Sequence, residues 1–131
     1  MIAVDTNVLV RLLVADDRTQ HLRAARFFDA QAREPGSLWV SQVVLAELGW
    51  VLSRTYARTR VEVAQAVRAL AGNATVALEQ PRVVEQAVEL YESGRRDLAE
   101  CLLSARAQVE GFEGVVTFDR GMRGLPGVSV W

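Results

Sequence analysis

The chain has 131 residues, half of them hydrophobic, so it is long enough for a hydrophobic core, and we expect residues 1–131 to form one domain. No apolar run reaches the roughly 18 residues needed to cross a bilayer, and the first residues lack the basic region of a signal peptide. One cysteine excludes an internal disulfide and a Cys-rich zinc site. These features favour a soluble cytoplasmic protein with no membrane partner. The net charge of −1 does not suggest nucleic acid, although all 15 basic residues are arginines.

Short apolar runs alternate with segments of helical periodicity along the whole chain. Strands are predicted, in chain order, at residues 2–4, 38–40, 76–78, 115–118 and 128–130. Helices are predicted between them, at about residues 8–13, 19–34, 42–56, 60–72, 81–94 and 97–110, with a short helical turn after Asp119. This alternation predicts an α/β fold with a mainly parallel sheet covered by helices on both faces.

Two acids follow predicted strands. Asp5 ends the first strand and Asp119 ends the fourth. Ligands of open parallel sheets bind outside the carboxyl ends of the strands, so both acids are candidates for one site. Each acid alone is equally well explained as a turn residue or a helix N-cap.

Glu47 lies in a helix that is otherwise uncharged between residues 43 and 52. A helix that is apolar on all sides is normally buried. A buried carboxylate is costly unless it is paired, protonated or bound to a metal. Glu47 is therefore predicted to be a buried functional acid, and the alternative is an ion pair with a nearby arginine.

Asp97 and Glu100 are spaced so that both lie on one face of a helix. The same pattern at a helix start is also that of a capping box. Ser104 follows one turn later and is most simply a surface serine.

If these acids converge, their mutual repulsion requires a cation or large pKa shifts. Ligation by oxygen alone suits Mg²⁺ or Mn²⁺ rather than zinc. His21 is the only histidine, so a histidine-pair ribonuclease mechanism is excluded. The chain has no lysine and no Asp-x-Asp motif, which argues against a P-loop and against a phosphoryl-accepting receiver domain.

Four segments resemble the motifs of PIN domains, and in particular those of VapC-type toxins from VapBC toxin–antitoxin pairs. They are Ile-Ala-Val-Asp-Thr-Asn-Val-Leu at residues 2–9, Val-Ser-Gln-Val-Val-Leu-Ala-Glu-Leu at 40–48, Asp-Leu-Ala-Glu-Cys-Leu-Leu-Ser-Ala-Arg-Ala at 97–107, and Val-Thr-Phe-Asp-Arg-Gly-Met-Arg-Gly-Leu-Pro-Gly-Val at 116–128. The resemblance spans nearly the whole chain. It implies a three-layer α/β/α, PIN-like fold.

The same resemblance implies an endoribonuclease that uses Mg²⁺ or Mn²⁺. Asp5 and the Asp97/Glu100 position would supply the metal ligands, and Glu47 and Asp119 would complete the site or orient water. Two further residues, Asn7 and Thr117, match positions that support the acids by hydrogen bonds. The implied partners are an RNA substrate, a VapB-like antitoxin and a second copy of the chain in a homodimer.

One position departs from the family pattern. VapC-like proteins commonly have aspartate where this chain has Glu100, so either Glu100 or Asp97 is the third ligand. The departure also keeps a second function open, that of a PIN-like module that binds RNA or protein without cutting it.

Overall fold

The computed structural model describes all 131 residues and contains five strands, six α-helices and one short 3-10 helix. The strands are β1 (Ile2–Ala3), β2 (Leu38–Val40), β3 (Val76–Leu78), β4 (Val115–Thr117) and β5 (Val128–Val130). The helices are α1 (Thr6–Leu13), α2 (Arg18–Ala30), α3 (Gln42–Arg54), α4 (Arg60–Ala71), α5 (Pro81–Ser93) and α6 (Leu98–Val109), and the 3-10 helix is Arg120–Met122. The predicted order of elements is confirmed.

All strand pairs are parallel, as predicted, but the strands hydrogen-bond in two separate sections. One section has the order β1-β2-β3, with Leu38 opposite both Ile2 and Val76. The other section pairs β4 with β5. Together with the six helices, the sheet gives the three-layer α/β/α architecture. The division matters for function because Asp5 follows a strand of the first section and Asp119 follows a strand of the second.

Capping residues fix where several helices begin. Ser41 starts α3 by accepting a hydrogen bond from the Val44 amide at 3.1 Å. Thr59 and Glu62 form a complete capping box at the start of α4. Pro81 occupies the first turn of α5, where its missing N–H costs nothing. These helix starts lie where the sequence predicts them.

The core lies between the sheet and the helices, and α6 packs against both α3 and α5. Leu9, Leu38, Leu45 and Leu48 are completely buried in it. Cys101 is buried there too, as a small hydrophobic residue. Because α6 is held from two sides, the position of its N-terminus, where Asp97 and Glu100 lie, is set by the core.

The predicted burial of Glu47 is wrong. Val43, Glu47 and Trp50 lie on one exposed face of α3, with Val43 76% exposed and Trp50 54% exposed. The uncharged stretch is therefore not buried on all sides. Its outer face carries two large hydrophobic residues in contact with water. Glu47 is a solvated carboxylate on that face.

Two smaller expectations also change, and the only histidine makes a defined contact. Ser104 is fully buried rather than on the surface, and its hydroxyl donates a hydrogen bond to the Pro126 carbonyl at 2.7 Å. The second helix ends at Ala30 rather than near residue 34, because the following residues form turns. His21 is half-buried, with its Nδ1 atom 2.8 Å from the Arg11 carbonyl oxygen, so it joins α2 to α1.

None of the helices is long and apolar enough to span a membrane.

Candidate active site

The start of α6 carries two of the predicted acids. Asp97 is the N-cap residue, and its Oδ1 accepts a hydrogen bond from the Glu100 amide at 3.0 Å. Glu100 does not return a side-chain bond to Asp97, unlike Glu62 in the capping box of α4. The Glu100 carboxylate is thus not used for capping and faces a neighbouring arginine instead.

Asp119 lies just after β4 and is fixed by its own loop. Its Oδ1 accepts a hydrogen bond from the Gly121 amide at 2.8 Å. Its backbone N–H donates to the Thr117 hydroxyl at 3.0 Å. The second carboxylate oxygen of Asp119 accepts no hydrogen bond from this loop, and Thr117 contributes by holding the main chain of the acid.

Arg96 joins the two acidic elements. Its Nε atom is 3.7 Å from Oε2 of Glu100, and its Nη1 atom is 3.5 Å from Oδ2 of Asp119. The guanidinium thus lies between a carboxylate on α6 and one after β4. Both distances are longer than a good charge-assisted hydrogen bond, which has about 2.7–2.9 Å between N and O.

Glu100 is in an unfavourable place for a negative charge. Burial raises the pKa of its carboxyl above the ordinary value, and the charges of Asp97 and Asp119 raise it further, while Arg96 and the Asp97 backbone lower it. The acids that raise it are Asp97 and Asp119. We call Asp97, Glu100 and Asp119 the acidic cluster.

The acidic cluster opens into a cleft of about 470 Å³ between α3, the start of α4 and the segment leading to α6. Trp50 lines the cleft from α3, and five arginines surround the acids, namely Arg54, Arg58, Arg60, Arg95 and Arg96. The cleft therefore places the three carboxylates of the acidic cluster among five guanidinium groups. We call these five arginines the arginine rim.

The five arginines do not all have the same role. The Nη1 atom of Arg60 donates to the carbonyl oxygens of Tyr91 and Arg96, each at 2.8 Å, and the guanidinium lies 4.5 Å from the centre of the Tyr91 ring. Arg60 thus holds the backbone that precedes Asp97. Three others, Arg54, Arg58 and Arg95, have no side-chain ion pair or hydrogen bond within the protein, so their donors face solvent.

The remaining predicted site residues do not line this cleft. Asp5 is exposed after β1 and makes no side-chain capping bond. Glu47 is on the outer face of α3 and does not line the cleft. Asn7 lines a different surface depression, with Arg11 and Gln20. The only buried side-chain oxygen without a hydrogen-bond partner belongs to Thr6, the residue after Asp5.

The residues as arranged do not form a metal centre. No three acid, histidine or cysteine side chains are grouped closely enough to hold an ion. The oxygen ligands of the acidic cluster are those that Mg²⁺ or Mn²⁺ prefers, but Arg96 lies between Glu100 and Asp119, and Asp5 is outside the cleft. The ligand chemistry suits such an ion, but an ion could contact both Glu100 and Asp119 only if the Arg96 side chain moved.

Comparison with known proteins identifies the family. The PIN domain family model matches residues 2–128. The chain belongs to the PIN domain family. No curated protein matches the sequence.

Two solved structures are similar to this PIN domain along most of its length. One is the crystal structure of Mycobacterium tuberculosis VapC20, described as a Sarcin-Ricin loop cleaving toxin: it is 26% identical, 93% of this chain and 92% of that chain are covered, and the TM-score is 0.44. The other is a chain of a toxin–antitoxin complex from Klebsiella pneumoniae: it is 21% identical, the coverage is 99% and 97%, and the TM-score is 0.36.

Sequence reasoning missed the arginines of this PIN domain as site residues. The composition singles out arginine as a residue type but does not say which arginines meet the acids. One local signal was available, since Arg95 and Arg96 directly precede Asp97. Nothing in the sequence pattern indicates that Arg96 reaches Asp119, because that contact depends on how β4 packs beside α6.

Proposed function

We propose that this PIN domain is a metal-dependent endoribonuclease that hydrolyses RNA phosphodiester bonds, and that it is the toxin of a type II toxin–antitoxin pair. The observation that carries the proposal is that the acidic cluster and the arginine rim line the same cleft. Acids alone would repel RNA, and arginines alone would bind RNA without any group to assist its hydrolysis. The two together are suited to cutting a polyanion.

The rim supports binding of the RNA backbone. Arg54, Arg58 and Arg95 each present a planar guanidinium without an internal partner, and such groups bind phosphate oxygens in pairs. Trp50, 54% exposed beside them, offers a flat surface on which an unpaired base can stack, worth about 1–3 kcal/mol. We therefore expect single-stranded or looped RNA to bind better than a regular duplex.

The acidic cluster supports a requirement for a cation. Because burial and its acidic neighbours raise the pKa of Glu100, binding of either a proton or a cation there relieves repulsion. We propose Mg²⁺ or Mn²⁺ as that cation. Following the family motifs, we propose that Asp5, Asp97 and Glu100 are its ligands, and that Glu47 and Asp119 complete the catalytic set.

The test is cleavage of end-labelled RNAs with Mg²⁺ or Mn²⁺, with and without a chelator, and beside DNA of the same sequence. Asp119→Asn removes the charge of the cluster but keeps an acceptor for the Gly121 amide. Asp29→Asn is the matched control, since Asp29 is exposed and makes no side-chain contact. We expect the chelator and Asp119→Asn, but not Asp29→Asn, to abolish cleavage. Cleavage that survives both treatments would refute the metal-dependent mechanism.

A non-catalytic role is the second candidate, favoured by one observation. Arg96 already offsets part of the charge of Glu100 and Asp119, and no three acids are grouped for a metal. A protein of this kind would bind RNA through the same arginine rim and release it uncut. RNA binding that is weakened by Arg58→Gln, with no cleavage under any metal condition, would favour this function over the nuclease.

The proposed partners follow from the four motifs that resemble VapC-type toxins. We propose a VapB-like antitoxin, a homodimer and action in the cytoplasm. Size-exclusion chromatography with light scattering tests the dimer. A small DNA-binding protein encoded directly upstream, co-expressed and co-purified with this chain, would support the antitoxin, and failure of the two to associate would count against it.

A further inference from the structure

Arg96 lies between two acids of the proposed catalytic set, Glu100 and Asp119. Its guanidinium is 3.7 Å from Glu100 Oε2 and 3.5 Å from Asp119 Oδ2. Its carbonyl oxygen accepts a hydrogen bond from Arg60, which fixes the backbone at this position. The side chain is therefore anchored at its base and only loosely held at its tip.

Gly121 provides the space in which that tip lies. A Cβ atom at this position would overlap Nη1 of Arg96, lie 2.7 Å from its Cζ, and lie 3.0 Å from Asp119 Oδ1. The absent side chain is thus needed for the arginine to reach Asp119. Because the atoms in the way belong to the far end of a flexible side chain, an alanine here would displace the guanidinium rather than the backbone.

We propose that Arg96 is an internal counter-ion that competes with a divalent cation for Glu100 and Asp119, and that Gly121 is the residue that lets it do so. An arginine is always charged, so only movement of the side chain can remove its charge from between the two carboxylates. A divalent cation and a guanidinium repel each other and cannot occupy the same gap. The inference rests on the proposed function for the identity of the competing ion.

The contacts of Arg96 are compatible with such an exchange. The two ion pairs are long, and the Arg96 side chain is 31% exposed, so water already reaches it. Contacts of this kind are individually weak and are screened by salt. The guanidinium therefore offsets part of the negative charge of the acidic cluster in the absence of metal, without closing the site permanently.

The experiment is calorimetric titration of the full chain with MnCl₂ alone, without RNA. Arg96→Gln is expected to tighten Mn²⁺ binding by about 5- to 100-fold, the range typical of coupled sites. Gly121→Ala keeps the charge of Arg96 but fills the space in which its guanidinium lies. This variant is expected to tighten Mn²⁺ binding by a smaller factor. Arg95→Gln removes the neighbouring charge, which contacts no acid, and is expected to change the affinity by about twofold or less.

Equal or weaker Mn²⁺ binding by Arg96→Gln, compared with the unmodified protein, would overturn the inference and leave the proposed nuclease intact. Absence of Mn²⁺ binding by every variant would overturn both. If Arg96→Gln does not fold, as judged by circular dichroism, the test is made by NMR on the unmodified protein. The ¹⁵N resonance of Arg96 Nε should shift as Mg²⁺ is added, and an unchanged resonance at saturating Mg²⁺ would overturn the inference.

Discussion

The contact between α3 and α6 sets the cleft and gives a quantitative prediction for Gly49→Ala. Gly49 is buried in α3, and a Cβ atom there would lie 3.0 Å from Cβ and 3.1 Å from Cδ2 of Leu98. Favourable carbon–carbon contacts are about 3.5–4.0 Å. The Cβ atom of Leu98 cannot move away by side-chain rotation, so α3 and α6 are expected to separate by a few tenths of an ångström.

The expected loss of stability follows from two opposing effects. Overpacking of this kind costs about 1–3 kcal/mol. The higher helix propensity of alanine stabilises α3 by up to about 1 kcal/mol relative to glycine. The net expectation is a loss of about 1 kcal/mol in the free energy of unfolding, or a fall of about 4 °C in Tm for a domain of this size.

The assay is thermal unfolding followed by circular dichroism, with Gly72→Ala as the matched control. Gly72 has a φ of −83°, and its nearest neighbours to a new Cβ are backbone oxygens at 3.4 and 3.9 Å, so the same methyl group fits there. Gly72→Ala is expected to leave Tm unchanged or to raise it slightly. If Gly49→Ala is as stable as the unmodified protein, the close packing of α3 on Leu98 does not limit the position of α6.

Three further predictions concern residues of α6. Ser104→Ala leaves the Pro126 carbonyl without its buried donor and should cost about 1–3 kcal/mol in denaturant unfolding; an unchanged midpoint would contradict this. Asp97→Asn should abolish RNA cleavage while keeping the helix cap, whereas Asp97→Ala should also lower the free energy of unfolding by about 1 kcal/mol. Equal Tm values for the two variants would argue against the capping role of Asp97. Burial raises the pKa of the Cys101 thiol to about 11, so at pH 8 the thiol should resist iodoacetamide until denaturant is added. Mass spectrometry measures the labelling, and rapid labelling of the native protein would contradict the burial of Cys101.

The sequence predicts the secondary structure well because the signals for it are local. Ser41, Thr59 and Pro81 each start a helix through contacts within one turn. Strand direction follows from the helices that connect the strands, which makes a parallel sheet nearly unavoidable. The break between the two sections of the sheet is not local, and no pattern of residues marks it.

The acidic cluster is only partly predictable for the same reason. Asp97 and Glu100 are brought together by helix geometry, which the sequence encodes directly. Asp119 joins them through the packing of β4 beside α6. Asp5 follows β1 in the other section of the sheet, so the prediction that it shares a site with Asp119 depends on how the two sections lie side by side, which no local pattern of residues determines.

The predicted burial of Glu47 is wrong for a different physical reason. The absence of charged neighbours in sequence predicts burial, but the helix face that holds Glu47 carries Val43 and Trp50 exposed to solvent. Hydrophobic residues occur widely on protein surfaces, so an uncharged segment does not have to be buried. The exposed Trp50 is informative instead, because it lies at the edge of the cleft rather than in the core.

The exclusive use of arginine gains a specific meaning only at particular positions. Arg60 uses one nitrogen to bind two carbonyl oxygens while its guanidinium lies over the Tyr91 ring, and Arg96 spans two carboxylates with two different nitrogens. A lysine ammonium is a single compact charge: it could donate to two carbonyl oxygens, but it could not present two different nitrogens to two carboxylates as Arg96 does. Composition alone therefore does not show where arginine matters in this chain, whereas the contacts of these two side chains do. Arg60 fixes the backbone that leads into Asp97, and Arg96 offsets part of the charge of the acidic cluster.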